Sequence, residues 1–209
     1  MRLCFSVNRS IIIKIFFGGY KLMRCKALSE MTIEELRKLF PVSLHKHNPL
    51  WKDWFCEEKE RIISFIGGGY RISHIGSTAI ADIMAKNIVD ILVEAHDPAA
   101  MEKAAKAIEQ NGYIKMSEGN NRKSFNRGYT VHGFAEKVFH LHLRLYGDNN
   151  ELYFRDYLIE HAGIAREYEK LKLSLWKKHE FNRDAYTAAK TEFVLKYTLL
   201  AKENYKNRY

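Results

Sequence analysis

The stretch His74-Ile75-Gly76-Ser77-Thr78-Ala79, continued by Lys86-Asn87-Ile88-Val89-Asp90-Ile91-Leu92-Val93, decides how this chain is read. Tyr70 to Ile75 alternates in polarity and predicts a strand. Gly76 predicts a tight turn, with a short helix starting at Ser77. Ile88 to Val93 is apolar except for Asp90, the pattern of a central strand covered on both faces. A Gly-Ser turn between a strand and a helix lets backbone amides, the Ser77 hydroxyl and the helix dipole converge on a phosphate. Glycine allows the backbone to approach the oxyanions with no side chain in the way. Asp90, on the next strand, is then placed to hold a divalent cation bridging the phosphates. Gly76, Ser77 and Thr78 are therefore phosphate-binding candidates, and Ser77 and Asp90 the catalytic candidates.

Working outward, Asp97-Pro98 reads as a cap and first-turn proline. The helix it starts turns Met101, Ala104, Ala105 and Ile108 inward and closes at Asn111-Gly112. Two more strands are expected around residues 123–129 and 138–146. From 149 to 205 the chain reads as helical in three pieces, broken near Ala162-Gly163 and Phe181-Asn182. Towards the N-terminus, Thr32-Ile33-Glu34-Glu35 is a capping box for a helix reaching Phe40. A second helix runs from Pro49 to about Phe65, with Trp51, Trp54, Phe55, Ile62 and Phe65 at helical intervals as packing residues. The expected fold class is α+β: a mixed sheet flanked by helices, with a core over 31–148 and a helical C-terminal region over 149–209.

Residues 1–30 stand apart. They carry six basic side chains and one acid, so residues 31–209 hold 28 basic and 24 acidic residues, a net charge of +4 out of the chain's +9. The apolar run Ile11-Ile12-Ile13-Lys14-Ile15-Phe16-Phe17 is split by a lysine and followed by no small-x-small cleavage site, against a signal peptide. Gly18-Gly19-Tyr20-Lys21-Leu22-Met23 matches in-frame translation of a ribosome-binding site, spacer and start codon. The expectation is a non-native or disordered extension, with Met23 or Met31 as the natural start; an N-terminal strand or interfacial segment is the competing reading. The mildly basic body suits a small phosphorylated molecule as well as a polymer. No basic stripe interleaves with exposed aromatics, so a nucleic-acid partner is not indicated. Cys4, Cys25 and Cys56 are odd in number and widely spaced, which fits a reducing cytoplasm. No run approaches the roughly 18 apolar residues of a membrane span.

Further site candidates come from chemistry. An isolated acid in an apolar strand is costly to bury unless paired or metal-bound, so Asp90 is either functional or in an ion pair with Lys86 or Arg144. His140 and His142 share one strand face; with Asp90 they form a candidate metal set, for which imidazole and carboxylate donors favour zinc, manganese or iron. The competing reading is hydrogen-bonded core or phosphate-contacting histidines. Lys86, Arg122, Lys123, Arg127 and Arg155 make a candidate phosphate-binding set, against the plainer reading of solvated surface cations. His74 precedes the turn and either orients it or has a purely structural role, the plainer reading. Tyr186 and Lys190, at i and i+4, line a site or pack between elements.

These residues resemble the GrpB family, a branch of the nucleotidyltransferase superfamily with a polymerase-beta-like core. Beyond the opening stretch, Arg122-Lys123-Ser124-Phe125-Asn126-Arg127-Gly128 is similar to the family's Arg-x-x-Phe-x-(Lys/Arg)-Gly strand. Phe139-His140-Leu141-His142-Leu143 is similar to its His-x-His strand, and Phe154-Arg155-Asp156-Tyr157-Leu158 and Ala185-Tyr186-Thr187-x-x-Lys190-x-x-Phe193 to its C-terminal helices. The resemblance runs from about Pro49 to Phe193. It implies a cytoplasmic nucleotidyltransferase-like protein that takes a nucleotide or coenzyme A-like ligand with Mg, Mn or Zn as divalent metal; such domains also occur fused to dephospho-coenzyme A kinases. There are departures. Active nucleotidyltransferases place a second acid two residues on, where this chain has Leu92, and a third on a later strand, where it has His140 and His142. The family's Val-Pro-Gly is Ile80-Ala81-Asp82, and its Lys-Pro is Lys86-Asn87. Three functions compete: a metal-dependent nucleotidyl or phosphoryl transferase acting on a small acceptor, a noncatalytic nucleotide-binding module, and a His/Asp metal hydrolase.

Overall fold

The structure, a computed structural model, describes residues 26–119, 121–206 and 208–209. The expected extension over 1–30 therefore lies, up to residue 25, outside the described residues. Local signals fix the first helices. Thr32 and Glu35 form the capping box of α1 (Ile33–Leu39), with Glu35 N–H donating to Thr32 Oγ1 at 3.2 Å and Thr32 N–H to Glu35 Oε2 at 2.6 Å. In α2 (Leu50–Ile66) the buried positions Trp51, Trp54, Glu58, Ile62 and Ile66 recur every three or four residues, so one stripe faces inward. Asp97 caps α3 (Pro98–Gln110) through Ala100 N–H at 2.7 Å, and the stripe Met101, Ala104, Ala105 and Ile108 is buried as expected.

Five strands form one mixed sheet: β1 (Arg71–Ile75), β2 (Val89–Ala95), β3 (Ile114–Gly119), β4 (Arg122–Thr130) and β5 (Gly133–Leu145). Their order is β1-β2-β5-β4-β3, with β2 and β5 parallel and the other pairs antiparallel. β2 is central, as its apolar run requires. β3 is an addition to the sequence reading. It is an edge strand with every residue at least partly exposed, so it carries little hydrophobic alternation. β5 also starts earlier than expected, because residues 133–137 form the outer arm of the β4–β5 hairpin.

Register sorts the sheet into two faces. Val89, Ile91 and Val93 of β2, Phe125 of β4 and Phe139, Leu141 and Leu143 of β5 share the core beneath α2 and α3. On the other face Asp90, Leu92 and Glu94 stand opposite His140, His142 and Arg144. The helical region covers that second face. It comprises α4 (Asn150–Glu160), α5 (Ala162–Trp176), α6 (Arg183–Ala188) and α7 (Thr191–Asn204): four helices, one more than the sequence reading gave, because a further break falls at Ala189-Lys190. These helices share a second core, into which Ile80 and Ile83 insert from the loop before β2. Among the described residues no helix is long and apolar enough to cross a membrane.

Candidate functional site

β1 ends at Gly76, whose φ of 71° lies in the left-handed region and whose absent Cβ leaves room for the Asp90 carboxylate. Ser77–Ala79 then makes a single 3₁₀ turn, shorter than the helix expected there, so the dipole of a longer helix is not available to the turn. Thr78 is buried, its hydroxyl 3.0 Å from His74 Nε2, and His74 stacks on Phe55 of α2. Burial holds His74 down at about 4, with Arg155 and His47 adding to the effect. His74 thus anchors the turn as a neutral ring through Thr78 and Phe55.

The loop from Ile80 to Ile88 is held by α5. Glu169 accepts from Met84 N–H at 2.5 Å, and Lys172, one turn later, donates to Met84 O. His45 and Ala85 pair as a backbone bridge on the other side. This clamp presents Lys86 to a pocket of about 260 Å³ lined by Gly76, Ser77, Thr78, Asp90, His140 and His142 on the sheet side. From the helical side come Lys172, Arg183, Tyr186 and Lys190. Arg183 and Lys172 were not singled out in the sequence, and nothing local distinguishes them from the chain's other basic residues.

Hydrogen bonding fixes the protonation pattern. Arg183 Nη2 lies 2.9 Å from His140 Nε2, and a guanidinium only donates, so Nε2 is the acceptor and Nδ1 carries the proton. That Nδ1–H faces Asp90 Oδ1 at 3.1 Å. The Tyr129 hydroxyl, 2.9 Å from the same Nε2, is itself met by Arg183 Nη1 at 2.5 Å. By the same logic Arg144 Nη2, 3.3 Å from His142 Nδ1, leaves a proton on Nε2, which points at Asp90 Oδ1 from 3.7 Å. Burial alone would raise the Asp90 pKa; the two imidazole N–H groups outweigh it and hold the carboxyl well below its usual range. Burial, with Arg183 and Lys86 nearby, keeps His140 neutral down to about 3. The ion pair of Asp90 with Lys86 or Arg144, the competing sequence reading, is not what the geometry forms: Asp90 meets the histidines.

As arranged here, Asp90, His140 and His142 engage one another and Arg183 and are not set as three free donors to a metal. Both nitrogens of His140 are engaged, one by a guanidinium, and His142 turns an N–H towards the shared carboxylate. Among the described residues no three His, Cys, Asp or Glu side chains form a metal-holding group. Leu92, where a second acid would stand, is fully buried against Ile75 and Leu152.

Of the sequence-derived phosphate set, Gly76, Ser77, Thr78 and Lys86 reach the pocket and the rest do not. Lys123 and Arg127 share strand parity with Phe125 and so project to the α2/α3 face, where Lys123 meets Glu102 and Glu118 and Arg127 meets Glu58. Arg122 is on the right face at the far end, paired with Asp148 at 2.5 Å. Arg155 supports the turn from behind, donating to His74 O at 2.8 Å while paired with Asp156. Asp82 is exposed and contributes no charge to the pocket. A larger cleft, about 320 Å³, opens beside Glu58 and Arg127, but each of its three cations is in a salt bridge: Arg61 and Arg127 share Glu58, and Lys137 meets Glu57. The pocket at Asp90, with four basic side chains to one acid, is the more unbalanced, and it is the candidate site.

Comparison with known proteins agrees with the motif reading. The family model described as GrpB protein matches residues 41–199, slightly beyond the expected bounds. The chain is 33% identical over 157 residues to UPF0157 protein YqkA of Bacillus subtilis, covering 73% of this chain and 45% of that protein. It is 35% identical over 159 residues to the glutamate-rich protein GrpB of Alkalihalophilus pseudofirmus, covering 73% and 91%. The chain thus spans about half the length of one such relative and most of the other. Among solved structures, the conserved protein GrpB from Enterococcus faecalis superposes with a TM-score of 0.68 at 26% identity, over 78% of this chain and 99% of that one. Cid1 poly(U) polymerase superposes more loosely, with a TM-score of 0.42 at 10% identity over 70% and 47%. With the turn, the His-x-His strand, Tyr186 of α6 and Lys190 at the start of α7 gathered at one pocket, and with the family model spanning all of them, the chain belongs to the GrpB family.

Proposed function

We propose that this protein binds a small phosphorylated molecule, a nucleotide or a coenzyme A-like compound, with its phosphate end in the pocket between the Gly76–Thr78 turn and α5–α7. The observation that carries this reading is the meeting of Lys86, Lys172, Arg183 and Lys190 around a glycine turn with a single carboxylate among them. Positive groups that outnumber the acids among them repel one another, and an anion relieves that repulsion. Each of these side chains has a part in receiving a phosphate. The lysines supply point charges, the Arg183 guanidinium a fork held in place by Tyr129 and His140, and the Ser77 hydroxyl a rotatable donor.

Between a transferase and a binding module, Leu92 favours the module. Its burial among apolar side chains leaves Asp90 as the pocket's lone acid, whereas two-metal phosphoryl transfer depends on concentrated carboxylates. The test is a thermal-shift and calorimetric comparison of ATP, CTP and coenzyme A, each with and without Mg²⁺ or Mn²⁺, against adenosine, cytidine and pantetheine. At least one phosphorylated compound is expected to stabilise the protein while its dephosphorylated counterpart does not. Lys86→Met should weaken that binding about tenfold, as expected for one lost charge-assisted contact. Equal effects of phosphorylated and dephosphorylated compounds would reject the proposal. Turnover of a nucleotide would restore the transferase.

A further inference from the structure

The pocket gathers more basic groups than one phosphate group calls for. Lys86, Lys172, Arg183 and Lys190 face one pocket carboxylate, Asp90, which attracts Lys86 and Lys190, while Glu169 of α5 attracts Lys172 from outside the pocket lining. A phosphate monoester carries about two negative charges at neutral pH, and a di- or triphosphate chain carries more. A divalent cation accompanying such a chain needs acceptor oxygens from the protein. Asp90 is poorly placed to give them: its Oδ1 faces the N–H groups of His140 and His142, and its Oδ2 is pressed against Gly76.

A further observation concerns Tyr186. Its side chain is 1% exposed, it lines the pocket, and its hydroxyl has no hydrogen-bond partner. Leaving a buried hydroxyl unsatisfied is costly unless something outside the folded chain completes it. Lys190 sits over the same ring, its Nζ 4.3 Å from the ring centroid, so a cation lies against the ring that carries the unsatisfied hydroxyl.

We infer that the pocket receives a metal-free oligophosphate, a di- or triphosphate chain whose charge is met by Lys86, Lys172, Arg183 and Lys190 in place of a divalent cation and whose oxygens accept from the Tyr186 hydroxyl. This rests on the phosphate-pocket reading above and adds the length and the form of the ligand. The volume agrees: about 260 Å³ lies below the roughly 300–1,000 Å³ of pockets that enclose a whole drug-sized ligand. The phosphate chain occupies the pocket and the rest of the molecule lies outside it. The lysines' electrostatics point the same way, since burial and mutual repulsion pull Lys86 and Lys172 down to about 7 and Lys190 to about 8. An arriving polyanion recharges them, so binding takes up protons.

The test is titration calorimetry of the full chain with orthophosphate, pyrophosphate and tripolyphosphate, first in EDTA and then with excess Mg²⁺. Tripolyphosphate is expected to bind in EDTA at least tenfold more tightly than orthophosphate, and to weaken several-fold when Mg²⁺ saturates it. Repeating the titration at pH 8 in buffers of different ionisation enthalpy should reveal proton uptake. Tyr186→Phe, which keeps the ring, should weaken tripolyphosphate about fivefold with an unchanged near-UV circular dichroism spectrum. Binding that appears only with Mg²⁺ overturns the metal-free inference while leaving the phosphate pocket standing. Orthophosphate binding as tightly as tripolyphosphate overturns the oligophosphate. Failure of all three probes under both conditions overturns the pocket reading as well.

Discussion

Gly76 is held at φ 71° and ψ −171°, a region open essentially to glycine alone, and a Cβ there would overlap the Asp90 carboxylate. Two separate costs follow for Gly76→Ala. The backbone strain is of order 1–3 kcal/mol, and displacing Asp90 adds overpacking of similar size. A loss of about 3 kcal/mol is expected from urea unfolding; a loss below 0.5 kcal/mol would show that the turn relaxes freely. Asp82 is the converse case. It is exposed, carries a φ of 58°, and stands where the family pattern has glycine. An L residue in that conformation costs more than glycine, although aspartate tolerates it better than most. Part of the gain from glycine is returned as unfolded-chain entropy. Asp82→Gly should therefore stabilise the protein by about 0.5 kcal/mol while leaving ligand affinity unchanged, and a drop in Tm would contradict the strain argument.

At the scale of elements, the edge of the sheet is tied to the helical region through one buried acid. Glu94 of β2 is fully buried; it pairs with Arg71 on β1 and accepts from Asn149 Nδ2 at 3.1 Å and Gly147 N–H at 3.3 Å at the start of α4. Removing one partner of such a pair strands a buried charge, which costs roughly 3–5 kcal/mol. Arg71→Met is expected near the lower end, because Asn149 and Gly147 still serve Glu94. The double variant Arg71→Met/Glu94→Leu should recover part of the loss, and strict additivity in chemical denaturation would refute the coupling. Elements with strong local chemistry were legible in the sequence: the Thr32 capping box, the Asp97-Pro98 start of α3, the apolar run of β2 and the Gly76 turn. β3 was not, because a half-exposed edge strand has no apolar face to alternate. Within the site, Gly76 to Thr78, Lys86, Asp90 and His140 with His142 were legible because turn and strand chemistry is local. Lys172 and Arg183 arrive from helices distant in sequence, and residue type alone does not separate them from other basic side chains. Lys123 and Arg127 carried a usable cue. They alternate with Ser124 and Asn126 and share parity with Phe125, so once Phe125 is assigned to the core they must leave the phosphate face.

For the molecule as a whole, the buried ionisable groups set a stability profile with an alkaline optimum. His74 and His140 are held down at about 4 and about 3, below the usual 6.5. Between those values the unfolded chain binds protons that the folded chain refuses, so stability falls as the pH drops below about 6.5. Asp90, depressed below its usual value of 3.8, contributes stability that is lost only at still lower pH. The lysines act above neutrality. Lys86 and Lys172 at about 7 and Lys190 at about 8, against 10.5 when unfolded, leave the unfolded chain with the extra protons from pH 7 upward. Stability of the ligand-free protein therefore rises between pH 7 and 9, by on the order of 1–2 kcal/mol once solvent screening is allowed for. Above about pH 10 the sign reverses. Burial pushes Tyr168 up to about 12 and raises Tyr113 and Tyr186 as well, so the folded chain keeps protons that the unfolded chain releases. Bound oligophosphate should cancel the lysine contribution by restoring their charge and move the optimum back towards pH 7. Differential scanning fluorimetry from pH 5 to 10.5 at constant ionic strength, with and without tripolyphosphate, measures both curves. A ligand-free Tm that does not rise from pH 7 to 9 would mean the three lysines keep ordinary pKa values in the folded protein, against the mutual repulsion that marks this pocket as an anion receptor.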